Sequence, residues 1–467
     1  MKEPSDVLGR SAPCRRASAL YLDTTWKQVV ALGLPMLLLL WACYADGAFL
    51  EPARMITAAA APGLGLVWTV VHRRGKADRT ACERPRWGAA EALLLSVAGL
   101  GALSTLWSLD WPASLQEAGL LAGAVFYLRL GRNLGRSPSA RSSVLLLVSE
   151  VGVLLSLLSI VGYARHLSWL TQDLGGKILP TGTFGYANAL AGFLFLSLAA
   201  TVALFTDPGG LRLGTRVESA SGRSQSRPAL FAAAVILQVA AIVLTQSRAA
   251  AAVAVLLPLL VAGVRFVGDP RRGVKRWLVV GLVLLFVGVV VALGVVFWER
   301  LRPYLSTADT FRLQTWRAGL QATGQSPILG HGLGTFYLAY APFKPGGQTT
   351  YAHNILVQYL VELGVVGAAL IAAFLAVAVL RPLKTFLGPL TSPRFPLLLG
   401  LQAFVTHNLV DLTWYFPALL LTFSLLLGVM SSYPSDFRNR MRPDHVRQHV
   451  GRIQGRSRKW PSAMLGR

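Results

Sequence analysis

Apolar runs, each about as long as a helix needs to cross a bilayer, recur along the whole chain. They fall at roughly 28–45, 52–71, 88–106, 113–129, 143–164, 186–206, 228–246, 249–264, 277–298, 354–380, 395–411 and 416–431. Hydrocarbon offers no partner to a free N–H or C=O, so runs of this kind must be helices. Period-two alternation, which a membrane β-barrel requires, is absent. The expected fold class is therefore all-α: a polytopic membrane helix bundle of about twelve spans. Charged residues make up 14% of the chain, against roughly 25% in a soluble domain. That excludes a soluble globular enzyme, and the 54% hydrophobic content excludes intrinsic disorder.

The net charge of +24 implies no nucleic-acid partner, because the basic residues form no single patch. They sit between the apolar runs, and their distribution orients the bundle. With the N-terminus in the cytoplasm, 36 of the 45 Lys and Arg fall on inner segments, the bias expected of a multi-pass plasma-membrane protein. Both termini are then cytoplasmic. The expected organisation is a basic N-terminus (1–27), a membrane bundle (28–431) and a basic tail (432–467). The first run reads as a signal anchor. The inner segment 207–227 is rich in Gly, Ser and Arg, and the tail suits anionic lipid. Cys14, Cys43 and Cys82 form no disulfide framework, and no Cys/His cluster has zinc spacing. No metal or cofactor is expected.

The informative cations are those that break this bias. The nine outer ones are Arg54, Arg165, Lys177, Arg248, Arg300, Arg302, Arg312, Arg317 and Lys344. Five of them lie in one long outer loop, 299–352. Loops of that length in compact proteins are usually functional or disordered, and the aromatic content here points to function. Residues 310–323 (TFRLQTWRAGLQAT) predict a short interfacial helix in which Arg312 and Trp316 share a face. SPILGHGLGTF follows; its glycines suit a tight backbone turn and match neither a P-loop nor a dinucleotide fingerprint. His353 and Asn354 then open the tenth span at the outer surface, where a neutral imidazole can act as a base. Glu362 lies deeper, where an acid needs a partner. Gly364 and Gly367 lie where small residues let helices approach closely.

Arg248, in LTQSRAAA, separates two apolar runs with almost no loop between them, a fixed position that suits bidentate phosphate contact. Asn188 enters the sixth span from outside. His407 and Asp411, in THNLVDLTWYF, are spaced i, i+4 with Trp414 and Tyr415 at the interface. Interfacial capping is an equal reading for these weaker positions. Together, several arginines, a histidine and few acids meet at the outer mouth of an apolar bundle. Arginines suit a diphosphate, the histidine suits proton removal from a hydroxyl, and the apolar helices suit a lipid tail.

The order of these motifs resembles the O-antigen ligase and polymerase superfamily, integral-membrane glycosyltransferases of the GT-C type. GTFGYANALA resembles its Gly-x-x-x-Asn entry to a middle span, and LTQSRAAA its Ser-Arg junction. FRLQTWRAGLQATGQSPILGHGLGTF resembles its Arg-x-x-x-Trp helix and Pro-x-x-Gly-x-Gly turn. HNILVQYLVELGVVG fits its His-Asn, nine residues, Gly, two residues, Gly pattern. The likeness covers most of the chain and is sharpest over about 180–430. It implies a GT-C-like bundle, an undecaprenyl-diphosphate-linked glycan donor and a glycan or lipid-glycan acceptor. It also implies catalysis without a metal, with Arg248 and Arg312 clamping the diphosphate and His353 serving the acceptor. Arg317, Asn354, Asn188, Asp411 and His407 are the expected substrate-binding residues. An Arg followed four residues later by Leu, the ligase pattern, is not met; the superfamily likeness does not depend on it, and ligase and polymerase both stay open.

Three rivals stand beside this reading. A flippase for polyprenyl-linked glycan predicts internal repeats, broken helices and midplane charges, and no repeat is found. A metal-dependent GT-C enzyme would use Asp46 or Glu51. A peptidoglycan polymerase would need an acid in the long loop, where Asp309 alone lies well inside.

Overall fold

The computed structural model describes residues 26–74, 87–173, 176–207, 226–247, 298–344, 349–380 and 393–433. It is mostly helical. The long helices are α1 (Trp26–Tyr44), α2 (Ala53–Arg74), α3 (Ala89–Leu103), α4 (Trp111–Leu134), α5 (Pro138–Arg165) and α6 (Ala187–Thr206). They continue with α7 (Ser226–Leu244), α8 (Trp298–Thr323), α9 (Ile355–Leu375), α10 (Arg394–His407) and α11 (Pro417–Ser432). Helices thus occupy ten of the twelve expected runs; 249–264 and all of 277–298 but Trp298 lie outside the described residues. So do most of the inner segment 207–227, both Cys14 and Cys82, and the basic tail from 434. Among the described residues five helices are long and apolar enough to cross a membrane: Ala53–Val70, Ala89–Leu106, Pro138–Arg165, Ala187–Thr206 and Ile355–Ala378. The described strand structure is one short antiparallel hairpin, Thr171–Asp173 with Ile178–Pro180.

α6 carries no charged residue and only a few small polar ones, so it has no face to give to water. It is accordingly buried along nearly its whole length and packs against α5, α7 and α10. A second layer forms where α4 lies against α11, α2 and α3. Between the layers Phe404, Trp414 and Phe423 pack ring to ring, with Trp414 and Phe423 centroids 5.5 Å apart. Polar contacts fix the register. Ser149 and Thr201 hydroxyls meet at 2.7 Å, and Gln238 donates to Thr201 at 2.9 Å, tying α5, α6 and α7 together. At one end of the bundle Arg141 donates to the Asp207 carboxylate at 2.8 Å and lies over the Tyr433 ring. The opposite end gathers the α1–α2, α3–α4, α5–α6 and α10–α11 turns and the segment before α9. This is the end that the sequence expects outside.

Two expectations need correcting. The short helix over 310–323 is the second half of α8, which runs unbroken from Trp298 to Thr323. Pro303 lies in its second turn without ending it, and no further Gly or Pro stands before Phe311. Gly364 does not serve helix–helix approach. It breaks α9, at φ 64 and ψ −165, a region essentially confined to glycine.

The break is filled by the stretch that follows α8. His331 N–H donates to Val361 C=O at 3.2 Å and Gly332 N–H to Glu362 C=O at 2.8 Å. Val365 N–H in turn donates to Pro327 C=O at 2.9 Å and Val366 N–H to Ile328 C=O at 3.4 Å. Irregular backbone at membrane depth is tolerated only where protein satisfies it, and here two irregular segments satisfy each other. Gly330, Gly332 and Gly334 all have positive φ, as the expected turn requires. Glu362, the deep acid, accepts from Phe336 N–H at 3.2 Å and Gln358 Nε2 at 2.7 Å, so it anchors this turn. The other side of the turn is held by the α3–α4 corner. Leu333 N–H donates to Ser104 Oγ at 3.0 Å, Ser114 Oγ donates to Leu333 C=O at 2.6 Å, and Leu109 N–H donates to His331 C=O at 3.0 Å.

Candidate functional site

At the same end a buried carboxylate organises the polar residues. Asp411 is 2% exposed. Asn188 Nδ2 donates to its Oδ2 at 2.7 Å, Tyr186 Oη lies 3.4 Å from the same oxygen, and Leu412 N–H donates to Oδ1 at 2.8 Å. Asn188 Nδ2 also reaches Tyr186 Oη at 3.0 Å. Arg312 closes the group from α8, its guanidinium 3.7 Å from Asp411 Oδ2 and its side chain 28% exposed. Three neutral donors therefore satisfy most of the carboxylate. The looser arginine keeps hydrogen-bond donors for another anion, which a bidentate buried pair would not leave.

His353 sits beside them in a left-handed conformation, φ 52, which His adopts more readily than most side chains. The Phe311 ring meets its imidazole edge-on, with centroids 6.5 Å apart. Trp316 Nε1, one turn along α8, donates to Ala352 C=O at 2.8 Å and fixes the backbone just before the histidine. The expected shared face of Arg312 and Trp316 thus holds α8 against the His353 segment. The imidazole Nδ1 is buried with no hydrogen-bond partner among the described residues. Burial lowers the His353 pKa below the ordinary histidine value; Asp411 pulls it up, and Arg312 pushes it down again. The balance leaves a neutral ring near pH 7, the form that can accept a proton.

The other expected site residues are placed as follows. Asn354 caps α9, its Oδ1 accepting from Leu356 N–H at 2.9 Å and Val357 N–H at 3.1 Å. Ile355 N–H donates to Asn408 C=O at 3.0 Å, so α9 starts against the α10–α11 turn. His407 is buried, its Nδ1 3.4 Å from Thr413 Oγ1 and its ring against Phe195. The helical i, i+4 relation of His407 and Asp411 is not formed, because α10 ends at His407. Asn408 turns the chain there, its Oδ1 accepting from Thr413 Oγ1 at 3.1 Å and from Trp414 N–H. Trp414 and Tyr415 are buried rather than interfacial. Arg317 follows Arg312 by five residues, about 140° round the helix, and is exposed. Arg248 lies outside the described residues, which reach Ser247, three past the end of α7.

Other residues at this end carried little sequence signal of their own. Tyr186 lies two residues before Asn188 in the quoted motif and completes the Asp411 group. Tyr351 lies two before His353. Arg54, counted as an outer cation, is committed elsewhere: it is 4% exposed, pairs with Glu117 and donates to Tyr415 C=O at 2.6 Å. Among the described residues no three His, Cys, Asp or Glu side chains are grouped to hold a metal ion.

Residues 233–372 match the family model described as O-antigen ligase. No curated protein matches the chain. The matched stretch carries Arg248, Arg312, Arg317, His353 and Asn354. Asn188 and Asp411 lie outside it in sequence, and the fold brings them to Arg312.

Proposed function

We propose that the chain, whose residues 233–372 match the O-antigen ligase family model, is a membrane glycan ligase or polymerase of that superfamily, which draws glycan from an undecaprenyl-diphosphate-linked donor and delivers it to a hydroxyl acceptor at the outer face of the bacterial plasma membrane. The observation that carries the reading is the convergence of Arg312, Asp411 and Asn188 beside His353, from four separate stretches of chain. Arg312, with Arg248, holds the diphosphate. His353 accepts the proton of the acceptor hydroxyl as its oxygen attacks the anomeric carbon. The bond from that carbon to the diphosphate oxygen breaks, its electron pair leaves with undecaprenyl diphosphate, and the arginines stabilise the charge. The reaction needs no metal or cofactor in this scheme. The bundle has twelve spans of GT-C-like arrangement, with both termini in the cytoplasm.

A strain lacking the gene tests the reading through its surface glycan. Missing long chains with single repeats retained indicate a polymerase, and unattached long chains indicate a ligase. Unchanged surface glycan would overturn the proposal. A pH profile tests the histidine. Because the pKa of His353 is lowered, the deprotonated base persists below the ordinary histidine midpoint of about 6.5. The transfer rate is expected to stay on its plateau down to that pH and to fall only below it. A rate already halved above pH 7 would contradict a buried neutral base.

One observation belongs to the transport reading, namely the broken α9. Its freed backbone groups are taken by Pro327, Ile328, His331 and Gly332, so the break is a docking point rather than an open ion site. Movement of lipid-linked glycan in proteoliposomes without an acceptor, and no glycosidic bond when acceptor is added, would favour transport instead.

A further inference from the structure

A row of aromatic rings leads away from the Arg312–Asp411 group. It starts at Tyr186, which hydrogen-bonds within that group and stacks on Phe416 with centroids 6.1 Å apart. Phe416 stacks on Phe49 at 4.2 Å and 13°. Phe49 meets Tyr351 at 5.6 Å, and Tyr351 stacks on Tyr415 at 4.7 Å. Phe416 and Tyr415 are buried, whereas Tyr186, Phe49 and Tyr351 are half-buried. Tyr351 is only two residues before His353, so the row runs beside the imidazole.

The far edge of the row is acidic, opposite in character to the Arg312 end. Glu51 is exposed and accepts from Gln116 Nε2. Glu117 accepts from Arg54, whose guanidinium lies 5.8 Å from the centre of the Phe49 ring. Beneath the rings Arg54, Glu117, Tyr359 and Tyr415 line a cavity of about 10 Å³, room for one water or one hydroxyl. The Tyr415 hydroxyl is buried there without a hydrogen-bond partner among the described residues, in a residue only 6% exposed. Buried polar atoms left unsatisfied are rare and call for a ligand or water.

Half-buried aromatic rings beside carboxylates, and a buried hydroxyl with no partner among the described residues, are the chemistry of a pyranose site. Ring C–H faces lie on the aromatic surface, and hydroxyls donate to the acids. A phosphate is repelled by Glu51 and Glu117, so this edge does not duplicate the Arg312 end. We infer that Phe49, Tyr351 and Tyr186, edged by Glu51 and the Arg54–Glu117 pair, form a shelf that binds a sugar ring lacking acid groups, within the glycan of the substrate. This rests on the reading of the chain as a glycan transferase. It adds the direction in which the substrate lies: diphosphate at Arg312, sugar along the rings towards Glu51.

The test uses the full chain in lipid nanodiscs. The probe is the neutral and amino-sugar oligosaccharides released by mild hydrolysis of the producing strain's own surface glycan, observed by saturation-transfer NMR. Wild-type protein is expected to saturate sugar ring protons. Phe49→Leu, which keeps volume but removes the ring, and Glu51→Gln, at an exposed position, are each expected to weaken binding about tenfold. Arg312→Ala is expected to leave this binding unchanged. In the transfer assay the same two shelf variants are expected to raise KM about tenfold for one substrate with kcat kept. A rise for the lipid-linked donor places its sugar on the shelf, and a rise for the acceptor places that sugar there. No saccharide binding by wild-type protein, or equal binding and equal KM in the variants, would overturn the shelf. Loss of transfer in Arg312→Ala with an unaltered shelf would then still support the transferase reading. Saccharide binding by a wild-type protein that transfers nothing would instead fail that reading and keep the shelf.

Discussion

Replacing Arg312 by alanine is expected to cut the initial rate of glycan transfer by about 10²–10³-fold, the usual effect of removing one preorganised charge partner from a site where charge develops. Arg312 suits this test because the fold does not depend on it. Its one described ion pair is long, 3.7 Å, and more than a quarter of the side chain is exposed. Removing it leaves Asp411 with Asn188, Tyr186 and the Leu412 N–H, so the cost in stability is about 1 kcal/mol or less. Arg54 cannot serve the same purpose, since its guanidinium is committed to Glu117 and Tyr415 C=O and its loss would strand a part-buried carboxylate. Arg312→Lys separates charge from geometry. It keeps a cation but loses the planar fork that grips two phosphate oxygens, and about a tenfold loss is expected. The measurement is transfer in proteoliposomes, with insertion checked by size exclusion in detergent. A variant within threefold of wild type would remove Arg312 from the site, whatever the family likeness suggests.

The apolar runs were legible because membrane helices are specified by length and composition alone. Each of the ten runs with described residues is a helix within a few positions. Arg312, His353 and Asn188 stand out in the sequence as candidates because a polar group at the mouth of an apolar bundle needs a reason to be there. Asp411 was legible as a residue but not as the hub. Its role depends on α10 ending at His407, and the Asn408 turn that ends it relies on a contact with Trp414, six residues on. Arg317 looked equivalent to Arg312 in sequence, yet five residues turn it to another side of α8. Asn354 reads as polar and exposed, and its helix-capping use shows only once α9 is seen to start at Ile355. The aromatic row was invisible, because its members come from four distant segments and no periodicity links them. Gly364 is conspicuous in the sequence, but its partner is not. Sequence spacing cannot say whether a small residue in a helix admits another helix or a loop.

That loop gives the second large effect. Gly364→Ala and Gly330→Ala are each expected to destabilise the protein by about 3 kcal/mol or more, enough to abolish recovery of folded protein at physiological temperature. Two causes add. Both residues have positive φ, 64 and 69, and Gly364 lies where only glycine is at ease. A Cβ at Gly364 would also meet the Ile328 carbonyl, and one at Gly330 the Glu362 carbonyl. These neighbours are backbone, tied by the hydrogen bonds that close the α9 break, so neither can yield without opening it. Opening it exposes the freed N–H and C=O groups of Val361, Glu362, Val365 and Val366 inside the bundle, where each costs several kcal/mol. It also releases the turn that sets Phe336 and the end of α8, and with them the position of Arg312. Gly99→Ala is the control: the same change in α3 meets nothing within 4 Å and is expected to be neutral or slightly stabilising. Thermal melts followed by fluorescence-detected size exclusion compare the three. If Gly364→Ala and Gly330→Ala melt with Gly99→Ala, the α9 break is not held by the 327–332 turn, and Arg312 and His353 then take their positions from something other than that turn.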